Sequence, residues 1–311
     1  MKKIKVSAPG KIHLMGEHTV VYGKPALLAA INKRVFVEIQ SRSDKKTEII
    51  FKKIEDEKLL DYVHHAIVIT TKYYKKFLPS GFTMTITSEI PIGAGMGSSA
   101  ASAVAIAGAV ALFLGQKFDK EKINEIAFLI EKYNHANPSG GDNSASCYGG
   151  FIWYRKEANY LKIIQPLSIN LSKEFANNFY ILNTGRPKES TAEMVQDVNR
   201  YVKKNKKEAK KILDDQELLA KDLLTAIQEK DERLIKQIIK KGERNLEKLG
   251  VVSSSVKKLI RHIEKLGGVA KICGGGGRSK ATGVLLVYQK NKVNSVYQPI
   301  GLGSQGIKIH E

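Results

Sequence analysis

Cysteine is scarce in this 311-residue sequence, which contains only Cys147 and Cys273. The two lie far apart and outside any C-x-x-C motif, so the sequence predicts neither a disulfide framework nor a zinc site. Long apolar runs are absent too, since the longest, residues 100–114, is alanine-rich and too short to span a bilayer. The N-terminal residues are basic but lack the apolar segment of a signal peptide. These absences predict a soluble, cytoplasmic protein with no membrane partner.

Acidic residues are few relative to basic ones: 31 Asp and Glu against 51 Lys and Arg give a formal net charge of +20. Such an excess is typical of nucleic-acid binding or of a protein with an anionic substrate. The lysines, however, crowd onto helical segments such as residues 201–215, where they interleave with acidic residues as on a solvated helix face. The aromatic pattern of RNA-binding sheets is not visible. We therefore interpret the charge as a lysine-rich surface and predict no nucleic-acid partner.

Hydrophobic periodicity predicts strands mainly in the first half of the chain and helices mainly in the second. The predicted strands are residues 4–9, which Pro9 is expected to end, 34–40, 47–54, 82–91, 151–155 and 179–185. The predicted helices are residues 59–78, 99–114, 119–136 and much of 190–266, with breaks near Asp214, Lys230 and Gly250. Residues 270–288 resemble a hairpin around a glycine run. The pattern predicts an α+β protein with two domains, residues 1–170 and 171–311.

The glycine-rich segment PIGAGMGSSAASAVA, residues 91–105, connects a predicted strand to a predicted buried helix. Free N–H groups at a helix start attract anions, and Gly93, Gly95 and Gly97 would let the backbone curl around phosphate oxygens. Ser98 and Ser99 offer one helix N-cap and one magnesium ligand. The segment matches neither the P-loop pattern nor the dinucleotide pattern. On these residues alone, a phosphate loop and a tight turn before a buried helix are equally compatible.

A second loop-rich segment, residues 9–26, places Lys11, Glu17 and His18 between glycines. Charged residues in such a loop indicate a ligand surface, although a surface hairpin would look similar. The hexapeptide HLMGEH in this segment does not fit the metal-binding pattern H-x-x-E-H, because it has one residue too many and a glycine that weakens a helix. A zinc site is therefore not predicted.

Two carboxylates, Glu131 on a predicted helix and Asp142 in a glycine-rich turn, could converge on one pocket. Each also has an ordinary interpretation, as part of a solvated helix face or as a turn-forming residue exposed on its turn. Taken together, the segments offer a phosphate cradle, a hydroxyl and a carboxylate for Mg²⁺, a lysine and a second carboxylate. Phosphoryl transfer requires these parts.

Three motifs in order produce a resemblance to a known superfamily over essentially the whole chain. Residues 9–23, 91–101 and 271–283 resemble the three motifs of the GHMP kinases, which comprise galactokinases, homoserine kinases, mevalonate kinases and phosphomevalonate kinases. Within it, GEHTVVYGKPAL and the segment 137–146 are most similar to the mevalonate kinase family. Galactokinases typically have an acidic residue where Val20 stands, and phosphomevalonate kinases usually have an aromatic residue in place of His18.

The resemblance implies a fold and an activity. An N-terminal domain similar to domain 2 of ribosomal protein S5 would precede a ferredoxin-like C-terminal domain, with ATP and substrate in the cleft between them. The implied activity is ATP- and Mg²⁺-dependent phosphorylation of the primary hydroxyl of mevalonate, a step of isoprenoid biosynthesis. The alternative is a phosphomevalonate kinase or another small-molecule GHMP kinase. A homodimer is kept as an alternative to a monomer.

Site residues follow from the resemblance, position by position. Asp142 matches the catalytic base, and Lys11 matches the lysine that would lower the pKa of the hydroxyl and stabilise charge on the transferred phosphoryl group. Mevalonate would contact Glu17 and His18 in addition to Lys11 and Asp142. Ser99 and Glu131 match the Mg²⁺ ligands. The ATP phosphates would be bound by Pro91, Ile92, Gly93, Ala94, Gly95, Met96, Gly97, Ser98 and Ser99.

The third motif departs from the superfamily pattern. Cys273 precedes four glycines, and Arg278 and Lys280 follow them. These two additional cations are expected either to contact phosphate or to face water.

Overall fold

The computed structural model describes residues 2–52, 58–79, 81–91, 93–134, 138–158, 160–169, 171–290 and 296–311. Within these ranges the strands are β1 (Lys3–Met15), β2 (Ala26–Ser41), β3 (Thr47–Lys52), β4 (Phe82–Ser88), β5 (Phe151–Lys156), β6 (Lys162–Leu167), β7 (Phe179–Asn183), β8 (Val269–Ile272), β9 (Val284–Tyr288), β10 (Gln298–Pro299) and β11 (Lys308–His310). The helices are α1 (Lys58–Tyr74), α2 (Ser98–Phe113), α3 (Lys120–Asn134), α4 (Gly141–Tyr148), α5 (Lys173–Ala176), α6 (Thr191–Lys204), α7 (Lys206–Glu229), α8 (Glu232–Lys248) and α9 (Ser254–Lys265). None of the helices in these ranges is long and apolar enough to cross a membrane.

The first sheet is organised around the long strand β2. One half of β2 pairs with β4 and the other half with β5, so that the strand order is β11-β1-β2-β4-β3 with β5 and β6 extending from β2. The last strand, β11, lies antiparallel to β1 at the edge of this sheet. Arg34 on β2 holds the segment before β11 by donating hydrogen bonds to the carbonyls of Gln305 and Gly306, at 2.7 and 2.6 Å.

Strand β1 continues through Pro9, so the prediction that this proline ends the strand is wrong. Pro9 pairs with Arg34 and Lys11 with Ala30, which is a register shift of the kind that accommodates a residue without a backbone donor. Beyond the shift, the Lys11 backbone N–H donates to the Met96 carbonyl at 2.9 Å. The irregularity therefore brings the lysine of the first motif beside the glycine-rich loop.

Helix α2 is buried on almost every side, as predicted for residues 99–114. Its alanines and Gly108 are buried, and it packs on β1, β2, α1, α3 and α4. Small side chains allow the backbones of neighbouring elements to approach closely, and a helix enclosed in this way has little freedom to move. The N-terminus of α2 is thus a fixed point in the first half of the protein.

The second sheet has the order β10-β7-β9-β8 and is accompanied by the helices α6 to α9. Strands β8 and β9 form the predicted hairpin, with Val269 opposite Tyr288. The helix breaks predicted near Lys230 and Gly250 are confirmed, whereas the break near Asp214 is wrong. The break falls at Asn205 instead, and α7 continues past Asp214, which forms ion pairs with Lys24 and Lys210 at 2.7 Å. The boundary between residues 170 and 171 stays a prediction.

Candidate active site

Lys11, at the beginning of the first motif, forms an ion pair with Asp142. The Lys11 ammonium, whose side chain is 3% exposed, lies 2.9 Å from Asp142 Oδ2 and 3.2 Å from His13 Nδ1. Burial, assisted by the charge on Lys11, lowers the pKa of His13 from 6.5 to about 3. The imidazole is therefore neutral near pH 7, and its Nδ1 can accept a hydrogen bond from the ammonium while Asp142 carries the compensating charge.

Asp142 lies in the first turn of helix α4, not on an exposed turn. A carboxylate at this position is stabilised by the helix dipole as well as by Lys11. The next residue, Asn143, donates to Asn124 Oδ1 on α3 at 2.7 Å, and the Tyr154 hydroxyl donates to the Ser139 carbonyl just before the helix. These bonds fix α4, so the carboxylate is held towards β1.

Glu17 and His18 occupy the turn that follows β1. His18 has φ 61°, a left-handed conformation that is uncommon for histidine. Its Nε2 lies 3.0 Å from the Gly275 carbonyl, which requires a proton on Nε2 and leaves Nδ1 as an acceptor. Burial lowers the pKa of His18 to about 4, so this neutral tautomer persists near pH 7. His18 Nδ1 is buried and has no hydrogen-bond partner among the described residues.

Glu17 is also buried, and it pairs with a lysine from the second sheet. Its Oε1 accepts a hydrogen bond from Lys271 Nζ, whereas its Oε2 is buried without a hydrogen-bond partner in the part of the chain that the structure describes. Burial raises the pKa of Glu17, and the charge of Lys271 opposes this effect. Lys271 was not among the predicted site residues.

The glycine-rich loop has the backbone geometry that its sequence predicts. Gly93, Gly95 and Gly97 have φ of 69°, 82° and 70°. At Gly97 a Cβ atom would lie 2.9 Å from Lys11 Cε, so only glycine lets the lysine pass the loop. Gly97 is also the N-cap of α2, with no side-chain cap, so the predicted serine N-cap is wrong. Ile92 lies outside the described residues.

The third motif packs directly on this loop. The Val284 N–H donates to the Ala94 carbonyl at 3.0 Å, and a Cβ on Gly274 would lie 3.0 Å from Gly95 Cα. The two glycine-rich segments therefore form one continuous backbone surface between the two sheets. No side chain could be inserted at these contacts without moving one segment away from the other.

Ser99 and Glu131 meet at the start of α2. The Ser99 hydroxyl donates to Glu131 Oε1, and the Tyr62 hydroxyl donates to the same oxygen at 3.3 Å and to the Ser99 carbonyl at 2.9 Å. Glu131 is 5% exposed, so its interpretation as part of a solvated helix face is wrong. Burial and the charge of Glu131 raise the pKa of Tyr62 well above 10, which keeps its hydroxyl protonated.

The chemistry of this donor set fits Mg²⁺. A hydroxyl and a carboxylate are hard oxygen ligands, and Mg²⁺ in nucleotide sites takes one or two protein oxygens and fills its remaining positions with phosphates and waters. Over the described ranges, no group of three or more His, Cys, Asp or Glu side chains could hold a metal ion. The pair therefore suits a metal that arrives with the nucleotide better than a metal held by protein alone.

Comparisons with known proteins agree with this geometry. Residues 61–150 match the GHMP kinases N terminal domain, and residues 2–41 match the galactokinase galactose-binding signature. The mevalonate kinase of Pyrococcus abyssi is 31% identical over 303 residues, which cover 88% of this chain and 86% of its own length. That of Archaeoglobus fulgidus is 32% identical over 310 residues and covers 98% of this chain and 99% of its own. The chain belongs to the mevalonate kinase family.

The fold is that of the mevalonate kinase family as well. The crystal structure of L. major mevalonate kinase in complex with R-mevalonate has a TM-score of 0.77 at 23% identity, covering 93% of this chain and 87% of that one. The predicted two-domain α+β fold of the GHMP kinases is thereby confirmed. The two relatives named above match most of this chain, and both are mevalonate kinases rather than phosphomevalonate kinases or galactokinases.

Arg278 and Lys280 are the two additional cations that follow the glycines of the third motif. The Arg278 guanidinium pairs with Asp197 on α6 and lies 3.7 Å from Glu189 Oε1. Lys280 is exposed, and its carbonyl accepts hydrogen bonds from Ser253 and Ser255 at 2.6 and 2.8 Å. Arg278, with a side chain 51% exposed, therefore pairs with carboxylates at the surface, and Lys280 lies at the surface as well.

A different cation lies beside the glycine-rich loop. Arg186 follows β7, and a Cβ on Gly93 would lie 3.2 Å from Arg186 Nε. Its side chain is exposed and has no ion-pair or hydrogen-bond partner in the described ranges. Nothing in the sequence around residue 186 distinguishes this arginine from a surface residue, so the structure was needed to find it.

Proposed function

We propose that this chain transfers the terminal phosphoryl group of ATP to the primary hydroxyl of mevalonate, forming mevalonate 5-phosphate and ADP. The observation that carries the proposal is the Lys11–Asp142 pair, with 2.9 Å between Nζ and Oδ2, beside the loop that leads into α2. The whole-length likeness to mevalonate kinases supports mevalonate as the substrate.

Asp142 and Lys11 would divide the chemistry between them. Asp142 accepts the proton of the primary hydroxyl while the hydroxyl oxygen forms a bond to the γ-phosphorus of ATP. At the same time, the bond from the γ-phosphorus to the bridging oxygen of ADP breaks. Lys11 lies close enough to Asp142 to stabilise the developing alkoxide and the transferred phosphoryl oxygens. His13 is neutral, so its ring can accept a hydrogen bond from the Lys11 ammonium without placing a second positive charge beside it.

The loop from Gly93 to Ser98 would hold the ATP phosphates. Its left-handed glycines turn the backbone, and the free N–H groups at the start of α2 attract anions. Arg186, beside Gly93, would add a guanidinium able to donate two parallel hydrogen bonds to a phosphate. Pro91 and the residues between the glycines would complete the contact.

Ser99 and Glu131 would hold Mg²⁺, which neutralises phosphate charge when it is bound. Tyr62 donates to the same Glu131 oxygen as Ser99 and would help to hold the carboxylate in place, because its hydroxyl stays protonated. Glu17 and His18 would bind mevalonate, each with a buried acceptor atom that the described protein residues leave without a partner. The hydroxyl groups of mevalonate are donors of the kind that these atoms require.

Two further proposals concern the setting of the enzyme. A cytoplasmic location is supported by Cys147 and Cys273, which are both free and buried, as expected in a reducing compartment. A homodimer remains an alternative to a monomer. Size-exclusion chromatography with light scattering distinguishes the two.

The test of the activity is an ADP-release assay with Mg-ATP and four separate alcohols: mevalonate, phosphomevalonate, galactose and homoserine. We expect ADP release with mevalonate far above the rate without alcohol. Absence of release above that background would refute the proposal, and a higher kcat/KM with phosphomevalonate would establish the alternative instead.

A further inference from the structure

Lys271 is a fully enclosed charged side chain near the site. It lies on β8 of the second sheet with a side chain that is 0% exposed, and its partner Glu17 is 1% exposed. Besides the Glu17 carboxylate, the ammonium donates to the His13 carbonyl at 3.2 Å and to the Ile272 carbonyl at 2.7 Å. An ammonium group has three protons, so all of its donors are used by protein.

A hydrogen bond to helix α8 holds β8 in position. Glu243 on α8 is 0% exposed, and its Oε2 accepts a hydrogen bond from the Ile272 backbone N–H at 3.0 Å. The residue next to Lys271 is therefore bonded to the buried face of α8. As a result, the second sheet carries a rigidly placed positive charge to the turn that follows β1.

This placement leaves one Glu17 oxygen for a ligand. Lys271 engages Oε1, whereas Oε2 is buried with no hydrogen-bond partner among the described residues. Nδ1 of the adjacent residue, His18, is also buried without a hydrogen-bond partner among the described residues. An unpaired buried acceptor destabilises the protein, and a substrate hydroxyl that donates to it would remove that cost on binding.

His13 lies between two lysines with separate tasks. Its ring contacts Lys11, which pairs with Asp142, and its backbone carbonyl contacts Lys271, which pairs with Glu17. The first pair is half open to solvent at the carboxylate, with Asp142 38% exposed, whereas the second is closed. An accessible carboxylate suits proton transfer, and an enclosed one suits a fixed binding contact.

We propose that Lys271 is a positioning residue for the alcohol substrate, which keeps the Glu17 carboxylate charged and oriented with Oε2 free to accept a hydrogen bond from a substrate hydroxyl. The inference rests on the proposed function, since it assumes that Glu17 faces the alcohol. Without the lysine, Glu17 is a buried carboxylate with no counter-charge, and such a group takes up a proton or moves towards water. Either response removes the fixed acceptor.

The test is the full-length Lys271→Met variant, with KM measured separately for the alcohol and for ATP. We expect KM for the alcohol to rise about ten-fold or more, which corresponds to about 1.4 kcal/mol, and KM for ATP to stay within about two-fold. An unchanged KM for the alcohol in a folded variant would overturn the proposal, as would equal rises in both KM values. Arg244→Met is the matched control, because it breaks an ion pair with Glu264 at 2.6 Å on neighbouring helices and should lower Tm without altering either KM.

The double variant Glu17→Gln/Lys271→Met covers the case in which Lys271→Met does not fold. Removing both charges leaves no uncompensated ion in the interior, so this protein should be closer to wild type in Tm than Lys271→Met is. A normal KM for the alcohol in the double variant would overturn the proposal.

The assay with four alcohols is done first on the wild-type protein, and the alcohol that releases ADP is used for all variants. Failure of the proposed function then appears in the wild type, whereas failure of the Lys271 proposal appears only in the variants.

Discussion

Replacing Asp142 by asparagine removes a charge and almost preserves the shape of the side chain. The first turn of α4 stays anchored through Asn143 and Asn124, which the substitution does not touch. The amide oxygen of the new side chain can still accept a hydrogen bond from Lys11. The change therefore removes the proton acceptor and the negative charge with little disturbance of the surrounding structure.

Two effects set the magnitude. A general base contributes typically 10²–10⁴-fold, so kcat should fall by about that factor, equivalent to about 2.7–5.4 kcal/mol in the barrier. The free energy of unfolding should fall by less, about 1–2 kcal/mol. The reason is that Asp142 is 38% exposed and that Lys11 keeps His13 Nδ1 as a hydrogen-bond partner at 3.2 Å. Binding of ATP should change little, since Asp142 is not part of the glycine-rich loop.

The measurements are kcat from ADP release with Mg-ATP and mevalonate, the dissociation constant of ATP by calorimetry, and Tm. Asp61→Asn is the matched control, because Asp61 is an exposed aspartate in the first turn of α1 and its substitution should leave kcat unchanged. A kcat for Asp142→Asn within ten-fold of wild type would show that Asp142 is not the base. A loss of ATP binding in parallel with kcat would mean that the variant had lost the site as a whole.

The remaining predictions concern the loop and the acid range. Arg186→Ala should raise KM for ATP about three- to ten-fold through loss of charged hydrogen bonds, whereas Lys188→Ala, a nearby exposed cation, should not change it; equal KM values would exclude a phosphate contact. Gly97→Ala should abolish measurable turnover, because its Cβ would lie 2.9 Å from Lys11 Cε at a φ of 70°; retention of half the activity would contradict the steric argument. The pKa of His13 falls from 6.5 to about 3 on folding, so the unfolded chain binds more protons between these values and Tm should fall as pH is lowered from 7 towards 4. His13→Gln should weaken that dependence, and an identical pH profile would refute the assignment.

Sequence reasoning succeeded where local chemistry determines the structure. Three alternate glycines between a strand and an alanine-rich segment predicted a tight turn followed by a buried helix, and both are present. The β8–β9 hairpin and the helix breaks near Lys230 and Gly250 follow from turn residues in the same way. Each of these features depends on residues that are neighbours in the chain.

Prediction from the sequence failed where residues that are distant in the chain determine the local structure. Pro9 does not end β1, because its partners on β2 shift register around it. Glu131 looks like any acidic residue of an amphipathic helix, but it is buried and accepts hydrogen bonds from Tyr62 and Ser99, which belong to two other helices. Lys271 did carry a signal, since a single lysine within the apolar run VAKIC indicates a buried charge that needs a partner. The partner, Glu17, lies more than 250 positions away in the sequence and could not be identified without the fold.

The pairing of β11 with β1 has a consequence for how the enzyme becomes active. Strand β1 carries Lys11, yet its outer neighbour consists of residues 308–310, which lie far from it in the sequence. Contacts so distant in sequence form late and slowly, because a long loop must close before they can stabilise anything. Until they form, the outer edge of β1, the strand that carries Lys11, is unpaired. Deleting residues 308–310 should leave most of the chain able to fold while delaying, or preventing, the appearance of activity.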